Sequence, residues 1–231
     1  MAPRLRIPVA IVAVLAAVSV TVMGWHFAGD THAGALDRTL AGGVDMRHGA
    51  ARVLGQGFAD LGNPLPVAVG LVGLAAVAYV ARGPRGLALA LLGPLLAMIT
   101  TSLVLKPLID RTRSGALAFP SGHTTAIGSM ALAAGVLLLG WTVVPRALRR
   151  AGAVVLTLLV FAVGASMVGR GYHYPSDTIG AVGVALAVVL LVALVVDAAG
   201  DRARAQAPPP GEATAQGDRR TIRRPVARRQ S

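Results

Sequence analysis

Long apolar runs broken by short polar stretches dominate this chain. Residues 7–29, 61–81, 86–105, 114–145, 151–169 and 178–196 hold no Asp, Glu, Lys or Arg. A helix of about 20 apolar residues crosses the roughly 30 Å hydrocarbon core of a bilayer, so each run is long enough to span it. The fourth run exceeds one span and is read as a loop followed by a helix from about Ser121. No run alternates with period two, which argues against a barrel. The pattern therefore predicts an all-α integral membrane helical bundle. Its membrane domain covers 1–197, with six transmembrane helices near 7–28, 63–81, 86–105, 121–144, 151–169 and 176–197. Pro94 is expected to kink the third span, and Arg82-Gly83-Pro84-Arg85 reads as a tight turn.

Between the first two spans lies the one sizeable loop, Asp30–Gly62. Residues 35–40 and 47–61 can be drawn there as short amphipathic helices in the outer interface, with Val53, Leu54 and Phe58 on one side. Asp37, Asp45 and His48 read as solvated surface. The first run, preceded by Arg4 and Arg6, also resembles a signal peptide with Thr31-His32-Ala33 as a cleavage site; its length favours a retained span. After Asp197 the chain turns polar, with Pro208-Pro209-Pro210 and many arginines. Residues 198–231 are expected to form a disordered basic tail.

Composition sharpens this picture. The chain is 55% hydrophobic and 14% charged, against about a quarter charged for a soluble domain. A net charge of +12 alone could suggest nucleic acid, but the basic residues are scattered between apolar runs. Aromatic residues at 4% leave little for base stacking, so no nucleic-acid partner is expected. The absence of cysteine excludes disulfides and thiolate metal sites. Arg82, Arg85, Arg146, Arg149, Arg150 and the tail arginines fall on the side of the N-terminus, which the positive-inside rule makes cytoplasmic. Both termini are then cytoplasmic. The wealth of Ala, Val, Gly and Arg suggests a bacterial chain, hence a bacterial plasma membrane.

That orientation brings two polar islands to the outer face. One holds Pro120-Ser121-Gly122-His123 and the other His173-Tyr174-Pro175-Ser176-Asp177. Lys106, Arg113 and Arg170 lie beside them, and so many cations at one membrane boundary would repel unless an anion joined them. Phosphate fits arginine's forked donors. Ser121 can cap the fourth helix, and Gly122 lets a ligand approach the free N–H groups there. His173 and Asp177 are four apart: a carboxylate near one ring nitrogen would fix the tautomer and leave the other to attack phosphorus. His123, on another helix, could protonate the leaving oxygen. No metal or other cofactor is required. The plainer alternatives are that His123 and Asp177 only cap helices, and that Lys106 and Arg113 anchor to head groups. Asp110 and Arg111 read as loop surface.

These residues resemble the type-2 phosphatidic acid phosphatase superfamily, which includes bacterial polyprenyl-pyrophosphate phosphatases. Its motifs run Lys-x6-Arg-Pro, Pro-Ser-Gly-His and Ser-Arg-x5-His-x3-Asp. Lys106 and Arg113 have the first spacing, Pro120–His123 matches the second, and Ser166, His173 and Asp177 fall on the third. The resemblance implies His173 as nucleophile, Asp177 as its partner and His123 as acid. Lys106, Arg113, Ser121, Gly122 and an Arg of the third motif would bind phosphate. It implies a metal-independent membrane phosphatase that acts, through a phosphohistidine, on a lipid phosphate or pyrophosphate at the outer leaflet. Three features depart from the pattern. Ser114 replaces Pro, with an effect expected on loop stiffness alone, and the gap between the first two motifs is short. Met167 stands where the third motif has Arg; Arg170, three residues on, shares that helix face and is the candidate substitute. The competing expectations are a non-catalytic lipid-phosphate-binding protein, a transferase to an acceptor other than water, and a small-anion transporter.

Overall fold

The computed structural model describes residues 3–206. It is nearly all helical: α1 Pro3–His26, α2 Ala35–Ala41, α3 Gly49–Asp60, α4 Pro64–Ile99, α5 Lys106–Ile109, α6 Gly122–Leu139, α7 Arg146–Gly169 and α8 Pro175–Ala205. Among the described residues, five helical stretches are long and apolar enough to cross a membrane. One of them, Pro64–Ile109, is 46 residues long and is broken inside. Gly83 has φ 61° and ψ −151°, a backbone state that glycine enters without steric cost. The chain folds back there. Leu74 and Leu89, from either side of the break, pack in one cluster around Ala133 and Val189. Val67 and Met98 share another with Ile127 and Val163. A straight helix would hold Val67 and Met98 about 46 Å apart. Pro94, by contrast, stays inside regular helix; α4 instead passes into a π-helical turn, Thr100–Leu105, just before Lys106.

Small residues let the helices approach. Ala78, Ala90, Ala97, Ala133 and Ala181 are fully enclosed, and a Cβ on Gly93 would touch Val189 at 3.4 Å. Close backbone approach of this kind is how helices associate where lipid removes the hydrophobic drive between them. Large apolar side chains point outward instead, among them Val80, Leu103 and Phe161. Such an arrangement suits a lipid surround.

The loop between the first two spans forms the two short helices expected of it. In α3, however, the buried face is Gly55 and Ala59, packed on α7, while Val53 and Leu54 are exposed. Between α5 and α6 a small antiparallel hairpin pairs Thr112 with Leu117 and Arg113 with Ala116. Its turn, Ser114-Gly115, has φ of 51° and 81°. Proline cannot adopt the first value, so the Ser in place of the motif proline does more than loosen the loop: it permits this turn.

The chain divides after Asp197 into two units. In the second, residues 198–205 are helical, contrary to a tail disordered from its start, and Arg204 pairs with Asp201 at 2.6 Å. Residues 207–231, on which the rest of that expectation falls, lie outside the described residues.

Candidate active site

The second polar island closes on itself. Tyr172 N and His173 N both donate to Met167 O, at 2.9 and 3.1 Å, folding the segment back over the end of α7. Pro175, whose N–H is absent, then starts α8. Asp177, in the first turn of α8, receives Tyr174 N on Oδ2 at 2.8 Å. The same oxygen faces His173 Nδ1 at 3.4 Å. Asp177 is fully buried and His173 is 8% exposed. A carboxylate at Nδ1 leaves Nε2 as the free nitrogen of the ring.

The first island meets the second through its backbone. Ser121 N donates to Asp177 O at 3.0 Å, joining the starts of α6 and α8. Ser121 Oγ caps α6 by accepting from Thr124 N at 3.4 Å. A Cβ on Gly122 would meet nothing within 4 Å, so the space in front of this helix start is open. An open helix start with unpaired N–H groups is a seat for an anion.

Of the predicted cations, Arg113 donates to His173 O at 2.8 Å and stacks on Tyr174. Lys106 donates to Leu117 O at 2.9 Å and lies within Coulombic range of Asp177. His123, half-buried, lies within electrostatic reach of both His173 and Lys106. Its Nε2 stands 3.3 Å from Asn63 Oδ1. Because Asn63 Nδ2 donates to Asp60, its oxygen is the atom turned to the ring, which makes Nε2 the protonated nitrogen. Arg170 is placed differently. Its guanidinium donates to Tyr172 Oη at 3.2 Å and its stem packs towards Gly55 of α3. Met167 is 1% exposed, so the position where the motif carries Arg is filled with an apolar side chain.

Two residues read as surface are not. Arg111 is 0% exposed and Asp37 is 1% exposed, and they form a buried ion pair at 2.7 Å. Arg111 also bonds Asp177 Oδ1 at 2.7 Å. The correction has a simple cause. In an extended segment, residues two apart point the same way, so Arg111 and Arg113 both turn inward and flank Tyr174. That alternation was visible in the sequence; the partner, Asp37, 74 positions away, was not. Burial alone would raise the Asp37 carboxyl, but hydrogen bonds from Ser176 and Arg111 bring it below its usual 3.8. Asp45, by contrast, is an exposed carboxylate held at about 2 by Arg47. Gly62 was missed as well: any Cβ there would run into the His123 ring.

Beside the site runs an apolar groove of about 710 Å³ between α6, α7 and α8. Thr124, Pro175 and Thr178 line its end beside the site and Leu139 and Ala153 its far end. Thr124 Oγ1 is buried there without a partner. Among the described residues no three His, Asp or Glu converge as a metal site.

The PAP2 superfamily model matches residues 68–201, more than half of the chain. No curated protein sequence matches the chain significantly. Among solved structures, the fold is similar to the crystal structure of a transmembrane PAP2-type phosphatidylglycerolphosphate phosphatase from Bacillus subtilis, with a TM-score of 0.64 and 18% identity. The match covers 82% of this chain and 96% of that one.

Proposed function

The chain belongs to the PAP2 superfamily, and on that premise we propose that it is a metal-independent phosphatase that hydrolyses a lipid phosphate or lipid pyrophosphate through a phosphohistidine at His173. The observation that carries this reading is the His173–Asp177 pair set beside the open start of α6. His173 Nε2 attacks phosphorus and the bond from phosphorus to the lipid oxygen breaks. His123 gives its proton to that oxygen. A water then attacks the phosphohistidine, His123 takes the water's proton, the phosphorus–nitrogen bond breaks, and inorganic phosphate leaves. Lys106, Arg113, the Ser121 hydroxyl and the Gly122 N–H bind the phosphate oxygens.

The groove supports a lipid substrate. Thr124 to Leu139 is about 22 Å of helix, against roughly 15 Å for the hydrocarbon of one leaflet. It is lined almost wholly by apolar side chains, with the unpaired Thr124 hydroxyl near its polar end. In this reading the reversal at Gly83 makes six crossings, both termini are cytoplasmic, and the site opens on the outer face of a bacterial plasma membrane. The test is phosphate release by purified protein from a panel of phosphatidylglycerol phosphate, phosphatidate and polyprenyl pyrophosphate in EDTA. Release that disappears in His173→Ala supports the proposal, and release that persists in that variant overturns it. A second reading, non-catalytic binding of lipid phosphate, is favoured by one observation, the apolar Met167 at the motif's Arg position. It requires lipid binding displaced by vanadate with no turnover of any lipid.

A further inference from the structure

Arg111 and Asp37 have no part in the reaction as drawn above, yet they are 0% and 1% exposed. Nη1 of Arg111 donates to Ser176 Oγ at 2.6 Å and to Asp177 Oδ1 at 2.7 Å. Nη2 donates to Asp37 Oδ2 at 2.7 Å. The other oxygen of Asp37 receives Ser176 N at 2.9 Å. The flat guanidinium is held between two rings, Phe27 at 4.0 Å and Tyr174 at 4.4 Å. It can neither turn nor slide without breaking one of these contacts.

We propose that Arg111, anchored by Asp37, is a positioning residue that fixes the Asp177 carboxylate and through it the His173 imidazole. This rests on His173 being the nucleophile. The two oxygens of Asp177 are divided: Oδ1 belongs to Arg111, while Oδ2 takes Tyr174 N and faces His173 Nδ1. The torsion that sets a carboxylate plane is broad and easily turned. With Oδ1 tied to a guanidinium that is itself clamped, Oδ2 stays aimed at Nδ1. Attack by Nε2 places positive charge on the ring, and the bond at Nδ1 strengthens as it does so. Purely as a strut, a buried trio of charges is a poor device, because desolvation offsets most of its attraction. Asp37, Asp177 and Arg111 together carry one net negative charge, which stabilises the positive charge the His173 ring gains as Nε2 attacks. The other charged or titratable groups facing this pair are Arg113 from the hairpin, Lys106 from α5 and His123 from α6. Short helix α2 thereby becomes part of the catalytic apparatus, though it carries none of the family motifs.

The test uses the full chain in detergent or nanodiscs and separates charge from geometry. Asp37→Asn removes one negative charge and keeps an acceptor for Arg111. The acidic limb of kcat/KM is expected to move to lower pH, because the imidazolium loses support. Arg111→Lys keeps the charge but not the fork, since an ammonium has no planar pair of donors. Its kcat is expected to fall on the order of 10²-fold, with KM within about threefold of the parent and the limb unmoved. The double variant Asp37→Asn with Arg111→Gln restores the net charge, so its limb returns towards the parent pH while kcat stays low. Histidine NMR titration follows the same limb at His173 without turnover. Folded variants that keep the parent kcat and limb overturn the proposal, as does a limb that moves alike in the single Asp37 variant and the double. If Arg111→Lys does not fold, Asp37→Asn decides alone by the direction of its limb. Should His173→Ala itself stay active, the phosphohistidine reading falls and takes this inference with it. A dead His173→Ala alongside unaffected Arg111 and Asp37 variants removes this inference only.

Discussion

The two histidines of the site are held in opposite ways. His173 is enclosed, with a carboxylate on Nδ1, Arg113 on its carbonyl oxygen and Met167 O on its amide. His123 is half-buried and its ring has one polar contact, the 3.3 Å approach to Asn63 in the turn before α4. The difference matches the two proposed roles. A nucleophile must meet phosphorus from a fixed direction, so rigidity lowers the barrier. An acid that protonates a leaving oxygen and then takes a proton from water must exchange partners between steps. A ring with one weak, replaceable contact can do that.

This contrast can be broken at several points. The largest effect is expected at the rigid end: His173→Ala should remove phosphate release entirely, while ³²P-labelled substrate leaves no label on the protein. His123→Ala should slow turnover by about 10²- to 10⁴-fold. Trapping of labelled protein would survive better for substrates with a good leaving group, because these need the acid least. Gly62→Ala is smaller and more telling. Its methyl would press on the His123 ring and on that side chain's own Cβ, so the start of α6 must give, and turnover should drop by roughly tenfold together with some loss of thermal stability. An unchanged rate in Gly62→Ala would mean that the ring's position does not matter. At the hairpin, Ser114→Pro should destabilise the protein by more than about 1 kcal/mol, because a φ of 51° is closed to proline. A thermal midpoint equal to the parent's would show that the turn is not needed.

The smallest effect concerns pH and stability. The Asp37 carboxyl sits below 3.8 when folded, so its contribution is intact above that value and is lost as pH falls through the lower, folded one. Asp45 behaves likewise, with its loss centred near 2. The thermal midpoint should therefore hold from neutral pH down to about 4 and then fall. Asp37→Asn should flatten the first part of that fall, and an equally steep fall in the variant would place the effect elsewhere.

Much of the site could be read from local sequence, for local reasons. The four-residue spacing of His173 and Asp177 on one helix start brings them together whatever the rest of the chain does. Ser121 caps the helix that its position announces. Arg170 lies one helical turn after Met167 and its N–H still bonds Ser166 O, but spacing sets only where a side chain starts, not where it ends. α7 ends at Gly169, and the arginine turns to Tyr172 and α3. The reversal at Gly83 falls inside the tight turn read at 82–85, while the loss of α geometry falls at residues 100–105, beyond Pro94.

The sequence by itself determined the spans, because lipid imposes one strong rule on every segment that enters it: backbone groups must be satisfied within the helix, and side chains must be apolar. It also determined the pairing of His173 with Asp177, which needs no more than one turn of helix. Only the tertiary structure decided what surrounds them. The enclosure of Arg111 by Asp37, Phe27 and Tyr174, and the approach of Asn63 and Gly62 to His123, join segments far apart in the chain. No periodicity records such meetings, since they depend on where whole helices come to rest against one another.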